Sequence, residues 1–116
     1  RHFVAIEDWV ADGVPMPAPA ARNLLVDWQI LNATAAGRWR FLGAEVDLGA
    51  IAMPALAVCG AQDAIAPPPL SLALAAAIPG ARVLAPRTGH VGMVVGSVAR
   101  AAVWRPLAAF LRETAR

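Results

Sequence analysis

The sequence predicts an α/β fold in which parallel strands are joined by crossover helices, with a mostly helical segment before them. In residues 51–116, short apolar runs bounded by proline and glycine alternate with longer runs at helical spacing. The order strand, helix, strand, helix favours parallel strands with right-handed crossovers. Apolar residues make up 59% of the chain and charged residues 16%, which excludes a disordered tail.

Residues 1–50 are expected to form a cap, or lid, and its connection to the core. The proline-rich stretch "VPMPAP" interrupts regular structure. Pro19 then suits the first turn of a helix, and the apolar residues that follow it, up to Leu31, recur at helical spacing. The stretch "GRWRFLGAEVDL" predicts a short strand or a hairpin that turns at Gly43.

Residues 51–116 are expected to form the strand–helix–strand–helix core. The run "ALAVCG" is short and bounded by proline and glycine, which predicts a strand buried on both faces. "PLSLALAAAI" predicts a helix that is closed by Pro79 and Gly80. "ARVLAP" predicts the second strand, and "RTGHVGM" predicts a loop after it.

The chain ends in a predicted helix that begins with Ser97 as its N-cap. Pro106 should kink or restart this helix because proline lacks the backbone donor. Four apolar residues at helical spacing predict its buried face: Val103, Leu107, Phe110 and Leu111.

Composition and charge exclude several function classes. No apolar run is long enough for a membrane span. The net charge is +2, and the arginines that supply the basic charge are scattered, which argues against nucleic acid. The single cysteine permits a reducing compartment, and we expect a cytoplasmic location. The sequence has no metal-ligand cluster and no glycine-rich nucleotide loop, so no metal or organic cofactor is expected.

Two ionisable residues follow the two predicted strands. Asp63 comes after the first strand and His90 after the second, and loops at the carboxyl ends of parallel strands share one edge of the sheet. A carboxylate that accepts from the imidazole Nδ1–H fixes the tautomer and leaves Nε2 for a nucleophile's proton. The plainer interpretation remains open, with Asp63 as a turn former and His90 as an ordinary loop residue.

The sequence offers no nucleophile for this pair. An acid followed by a histidine is the chain order of α/β-hydrolases, in which the nucleophile comes first. Neither G-x-S-x-G nor G-x-C-x-G occurs, and Ser71 and Ser97 lie on or before predicted helices. Cys59 lies inside the first strand and is interpreted as a small buried hydrophobic residue. The nucleophile is therefore expected upstream of residue 1.

Several motifs together resemble the C-terminal part of poly(3-hydroxyalkanoate) synthases over essentially the whole chain. They are "GAQDAIAPP", "TGHVGMVVG", "VDLGAIAMPAL", the order F-x-x-x-E-D-W and the closing W-x-P-L-A-x-F-L. The resemblance implies an α/β-hydrolase fold with a cap inserted before the last strands. It also implies an acyltransferase that polymerises 3-hydroxyacyl groups from coenzyme A thioesters, as in polyhydroxybutyrate biosynthesis. Asp63 would be the acid and His90 the base of a catalytic triad whose cysteine lies upstream.

The resemblance also implies the partners of the parent protein. These are a 3-hydroxyacyl-CoA substrate, a polyester product and the N-terminal half of the fold, and a homodimer is allowed. The isolated chain is expected to be inactive. Trp9, Trp28 and Trp39 could line an acyl channel or serve only as core residues.

Two alternatives stay open. Ala64 and Pro68 stand where many of these synthases have His and Trp. An esterase, thioesterase or polyester depolymerase with an upstream serine would retain Asp63 and His90 equally well. The apolar composition also fits a non-catalytic module for assembly or for the granule surface.

Overall fold

The computed structural model describes residues 2–115. Arg1, the first residue of the predicted cap segment, and Arg116, the last residue of the predicted core segment, lie outside the described residues. The first part of the chain contains two helical stretches, a hairpin and a short 3₁₀ helix (Leu48–Ala50). The helical stretches and the hairpin are helix α1 (His2–Ala11), helix α2 (Ala18–Arg22) with a π-helical continuation (Asn23–Ile30), and strands β1 (Arg40–Phe41) and β2 (Ala44–Glu45).

The predicted helix after the proline-rich stretch is confirmed, with a difference in its winding. Helix α2 begins after Pro17 and has a proline in its first turn, where the missing N–H is no loss. Its continuation widens to π-helical hydrogen bonding, and the N–H of Leu31 donates to the carbonyl of Val26 at 2.9 Å. Helix α1 was not placed individually within the mostly helical segment that the sequence predicted, and large apolar side chains on it, such as Phe3 and Trp9, are exposed.

The hairpin that was predicted at Gly43 is confirmed. Strands β1 and β2 pair antiparallel, and the two turn residues, Leu42 and Gly43, have φ values of 49° and 83°. Positive φ at both central positions is the geometry of a type I′ turn, whose twist matches that of the strands. Trp39, just before β1, packs edge-on against Trp28 with ring centroids 5.1 Å apart, which attaches the hairpin to the π-helical stretch.

The second part of the chain is built on a pair of parallel strands. Strands β3 (Leu56–Val58) and β4 (Arg82–Leu84) align Ala57 with Val83, and helix α3 (Pro68–Ala77) connects them and packs against both. Gly80, with φ of 69°, follows the end of α3. The remaining elements are helix α4 (Gly92–Val95), a π-helical stretch (Arg100–Trp104) and helix α5 (Arg105–Thr114).

The buried core is small, and this corrects the expectation that the first strand is buried on both faces. All three residues of β3 are half-buried, and Arg82 and Val83 of β4 are exposed. The reason is that the sheet has two strands in the part of the chain that the structure describes, so its outer edges are uncovered. Six apolar residues are buried: Ala33, Cys59, Ala75, Ala99, Val103 and Phe110.

The C-terminal helix differs from its prediction in three details. Its first stretch begins at Arg100 with Ala99 as the N-cap, and Ser97 lies in the preceding turn, so the prediction of Ser97 as the N-cap was wrong. The carbonyl of Gly96 accepts from the N–H of Ala99 at 3.0 Å and closes this turn without a side-chain cap. Residues 92 and 93, which were predicted as loop, already belong to α4. Leu111 is 56% exposed and does not share the buried face of Val103 and Phe110.

The predicted restart at Pro106 is confirmed. The helix changes from π-helical to α-helical winding between Trp104 and Arg105, next to the proline that cannot donate to the preceding turn. Among the helices at residues 2–115, none has the length and apolar character that crossing a membrane requires.

Phe110 and Leu111 provide a matched test of the described core. Phe110 is 7% exposed and its ring lies 5.4 Å below the Arg82 guanidinium, whereas Leu111 points largely to solvent. Phe110→Ala should lower the free energy of unfolding by about 3 kcal/mol, because it empties a buried site. Leu111→Ala should lower it by less than about 1 kcal/mol. Urea unfolding followed by circular dichroism measures both, and equal losses would contradict this packing.

Candidate active site

The loops after β3 and β4 run side by side because the parallel hydrogen bonding continues beyond the strands. The N–H of Ala61 donates to the carbonyl of Pro86 at 2.8 Å, and the N–H of Gln62 donates to the carbonyl of Thr88 at 3.1 Å. These bonds align the two loops up to the residue before Asp63. The carboxyl ends of both strands therefore bring the loops that carry Asp63 and His90 to one place.

Asp63 divides its two carboxylate oxygens between the backbone and a side chain. Oδ1 accepts from the N–H groups of Ile65 and Ala66, both at 2.9 Å, which forms a turn leading toward α3. Oδ2 lies 2.8 Å from Nδ1 of His90. The residue is only 6% exposed, so its three hydrogen bonds compensate the removal of the carboxylate from water.

His90 combines a fixed ring nitrogen with an accessible side chain. A carboxylate only accepts hydrogen bonds, so Nδ1 carries the hydrogen and donates it to Asp63. In the neutral ring, Nε2 is then the basic nitrogen. The side chain is 46% exposed, in contrast to the 2% of its partner, so a second reactant can approach it. This arrangement can orient an imidazole and stabilise its protonated form.

The environment of Asp63 favours the ionised carboxylate. Burial alone would raise the pKa of this carboxyl group. The hydrogen bonds from the Ala66 N–H, from His90 and from the Ile65 N–H, together with the charge of His90, outweigh burial and hold the pKa below its ordinary value. The acid therefore remains an anion at neutral pH and can pair with an imidazolium.

No cysteine or serine side chain within residues 2–115 hydrogen-bonds to His90. Cys59 is 2% exposed, as expected for a small buried residue, and its thiol faces the carbonyl of Pro68 at 3.9 Å. Ser71 lies in α3, and Ser97 lies in the turn before the last helical stretch. The same part of the chain has no group of three His, Cys, Asp or Glu side chains that could hold a metal ion.

Two of the three tryptophans that were considered for an acyl channel lie together. Trp28 and Trp39 are in edge contact, and with Phe41 they line an apolar hollow of about 290 Å³. Trp9 lies on α1 beside a different hollow, which includes Val95. The structure thus brings Trp28 and Trp39 together without Trp9, and a channel role stays a prediction.

The sequence reasoning missed the two backbone donors and the glycine that allow this geometry. The amides of Ile65 and Ala66 have no side-chain signal, and their role depends on the local turn. Gly60 carried a visible signal, a glycine between a strand and an acidic residue, but it was interpreted only as the end of the strand.

Three curated proteins named poly(3-hydroxyalkanoate) polymerase subunit PhaC are similar to this chain along 115 residues, or 97% of its length. The identity is 27% to the protein of Haloferax mediterranei, and 30% to each of those of Haloarcula marismortui and Allochromatium vinosum. The chain spans 23%, 24% and 32% of the lengths of these relatives. No protein-family model matches the chain. No solved structure matches it either.

The lowered pKa of Asp63 predicts how stability depends on pH. The ionised Asp63 carboxylate contributes to the free energy of unfolding, and this contribution is fully present above the pKa that the group has in the unfolded chain, about 3.9. The contribution is lost as pH falls through the lower pKa that the group has in the folded chain. We expect the difference in unfolding free energy between the natural chain and Asp63→Asn to be constant above about pH 5. This difference should shrink below about pH 4.

Urea unfolding at a series of pH values measures this dependence. Asp12→Asn, which changes an exposed aspartate in the segment after α1, is the matched control. Its unfolding free energy should change with pH in the same way as that of the natural chain. A difference between the natural chain and Asp63→Asn that grows toward low pH would show that the carboxylate is not stabilised by folding.

Proposed function

We propose that this chain, which is similar to poly(3-hydroxyalkanoate) polymerase subunits along 97% of its length, is a C-terminal segment of a synthase-like protein and supplies the acid and the base of an acyltransferase's catalytic triad. The observation that carries the proposal is the 2.8 Å contact between Oδ2 of Asp63 and Nδ1 of His90. Asp63 orients the imidazole, His90 is the general base and later the general acid, and the nucleophile is a cysteine upstream of residue 1.

In the first half of the proposed reaction, Nε2 of His90 takes the proton from the upstream thiol. The thiolate attacks the thioester carbonyl of a 3-hydroxyacyl-CoA, and the C–S bond to coenzyme A breaks. The leaving thiolate of coenzyme A receives the proton from His90, which leaves an acyl-cysteine. Asp63 is already an anion in the resting state, so it stabilises the imidazolium without a rearrangement.

In the second half, the hydroxyl group of a hydroxyacyl unit gives its proton to Nε2 and attacks the acyl-cysteine. A new ester forms, the cysteine leaves as a thiolate, and His90 returns the proton to it. Each cycle thereby lengthens a polyester by one unit and releases one coenzyme A. No metal or organic cofactor takes part in the proposed steps.

The proposed setting is an α/β-hydrolase fold that is completed by protein outside this chain. Residues 51–116 would provide its last strands and helices, and residues 1–50 would form the cap and its connection. Two observations support this. Large apolar side chains such as Val14, Leu42 and Ile65 are 71% exposed or more, and the relatives are at least three times as long as the chain. A cytoplasmic location and a homodimer belong to the same proposal.

A hydrolase is the second candidate, because Ala64 and Pro68 stand where many of the synthases have His and Trp. In this structure Pro68 begins α3. An esterase, thioesterase or depolymerase with an upstream serine would use Asp63 and His90 in the same way. The two candidates differ in the upstream nucleophile: cysteine favours the synthase and serine the hydrolase.

The isolated 116-residue chain should release no coenzyme A from 3-hydroxybutyryl-CoA. The physical reason is that an acid and a base without a nucleophile have no group to acylate. A thiol-reactive dye measures free coenzyme A, with hydrolysis in buffer alone as the baseline. Release above that baseline that disappears in His90→Ala would contradict the assignment of the nucleophile to another part of the protein.

Grafting tests the assigned roles directly. The chain replaces the matching segment of the Allochromatium vinosum protein, and release of coenzyme A from 3-hydroxybutyryl-CoA is measured. His90→Ala should reduce kcat by about 10³-fold or more, and Asp63→Asn by a comparable factor, because both disable the base.

Asp12→Asn is the matched control in the graft. It should retain the activity of the unsubstituted graft, because this carboxylate is exposed and does not belong to the pair of Asp63 and His90, the candidate dyad. A folded graft that stays active after His90→Ala would rule out the imidazole as the base. Polyester formation separates the synthase from the hydrolase, which would instead release free 3-hydroxy acid.

A further inference from the structure

We infer that Gly60 is the positioning residue that lets the Asp63 and His90 loops approach closely enough for their side chains to meet. The catalytic consequence of this inference rests on the proposed function above. The geometric part, that a side chain at position 60 would separate the two residues, stands on the structure alone and is tested separately.

A side chain at Gly60 would collide with the backbone of the other loop. Gly60 is buried just after β3, and a Cβ built there would lie 2.6 Å from the carbonyl oxygen of Thr88. Close carbon–oxygen contacts in proteins lie at about 3.3–3.6 Å, so the loops would have to separate by roughly 0.7–1.0 Å. The same Cβ would lie 3.2 Å from the flexible Met93 sulfur, which can move, and 3.4 Å from Cβ of Asp63.

The Thr88 carbonyl is not free to turn away from that contact. It accepts from the N–H of Gln62 at 3.1 Å, and this bond aligns the two loops directly before Asp63. Breaking it would leave the carbonyl of the buried Thr88 without this partner, which costs free energy. The collision therefore moves the loops and does not merely rotate one peptide group.

The displacement would act directly on the candidate dyad. Thr88 lies two residues before His90, and Gln62 lies immediately before Asp63, so the strained contact joins the two loops at the base of both side chains. The present distance from Oδ2 to Nδ1 is 2.8 Å. An increase of about 0.8 Å would take it beyond hydrogen-bonding range.

Two other glycines provide controls. Gly89 directly precedes His90, but a Cβ there would have its nearest contact at an ordinary 3.6 Å, with the Gln62 carbonyl. A Cβ at Gly13 would have no neighbour within 4 Å. None of the three glycines has a positive φ, so alanine imposes no backbone strain at any of them. Only Gly60→Ala should therefore disturb the dyad.

The first measurement is the NMR spectrum of the His90 ring in the ¹⁵N-labelled 116-residue chain. A hydrogen bond to Asp63 holds the neutral ring as the Nδ1–H tautomer, which the two ring ¹⁵N shifts identify. We expect this tautomer in the natural chain, in Gly89→Ala and in Gly13→Ala. Gly60→Ala should lose it and resemble Asp63→Asn, which removes the carboxylate without a backbone collision.

Two outcomes would overturn the inference. The Nδ1–H tautomer could persist in Gly60→Ala, which would mean that the loops absorb the methyl group without parting the dyad. Alternatively, amide dispersion could collapse throughout Gly60→Ala, which would assign Gly60 to general packing and not to the position of His90. Retained dispersion with a lost tautomer supports the inference.

The second measurement is the activity of the grafted enzyme. Gly60→Ala should lower kcat by about 100-fold with little change in KM, since a base misplaced by roughly 1 Å affects the chemical step. Gly89→Ala should retain kcat. An unchanged kcat in Gly60→Ala would overturn the catalytic part. If the unsubstituted graft is inactive, the proposed function fails, whereas the tautomer comparison still decides the geometry.

Discussion

The parallel hydrogen bonding between the segments after β3 and β4 is the constraint on which the rest of the site depends. Two backbone bonds past the strand ends, from Ala61 to Pro86 and from Gln62 to Thr88, align loops that are distant in sequence. Because these bonds hold the two backbones side by side, Asp63 and His90 lie within reach of each other although they are 27 positions apart in the sequence. The backbone therefore sets the distance, and the side chains complete the geometry with one hydrogen bond.

The exposed and buried halves of the dyad have separate origins. Asp63 is enclosed partly by its own turn, in which the amides of Ile65 and Ala66 donate to Oδ1, and its other oxygen faces His90. His90 is open on the side away from Asp63. A buried, ionised acid beside an accessible imidazole is the division of roles that acid–base catalysis requires, and it is present within this chain alone.

The sequence predicted those parts of the fold in which a single residue's backbone preference determines the local structure. The turn at Gly43 and the restart at Pro106 depend on single residues with restricted backbones, and both were predicted. The positions of Asp63 and His90 followed from strand order. Helix α1 was not placed individually, and its large apolar side chains, such as Phe3, are exposed. Leu111 was placed on the buried face because it lies one turn after Leu107, but it is 56% exposed, so helical spacing alone did not decide its burial. Ser97 was misplaced because a backbone turn, which has no side-chain signal, precedes the helix.

The divided carboxylate of Asp63 links the imidazole mechanically to helix α3. One oxygen holds the turn that leads into this helix, and the other holds His90, on a side chain too short to adjust the two independently. A displacement of the start of α3 is thus transmitted through the Asp63 side chain to the His90 ring. The orientation of the imidazole is consequently coupled to the position of the start of α3, which does not itself touch the histidine through a hydrogen bond.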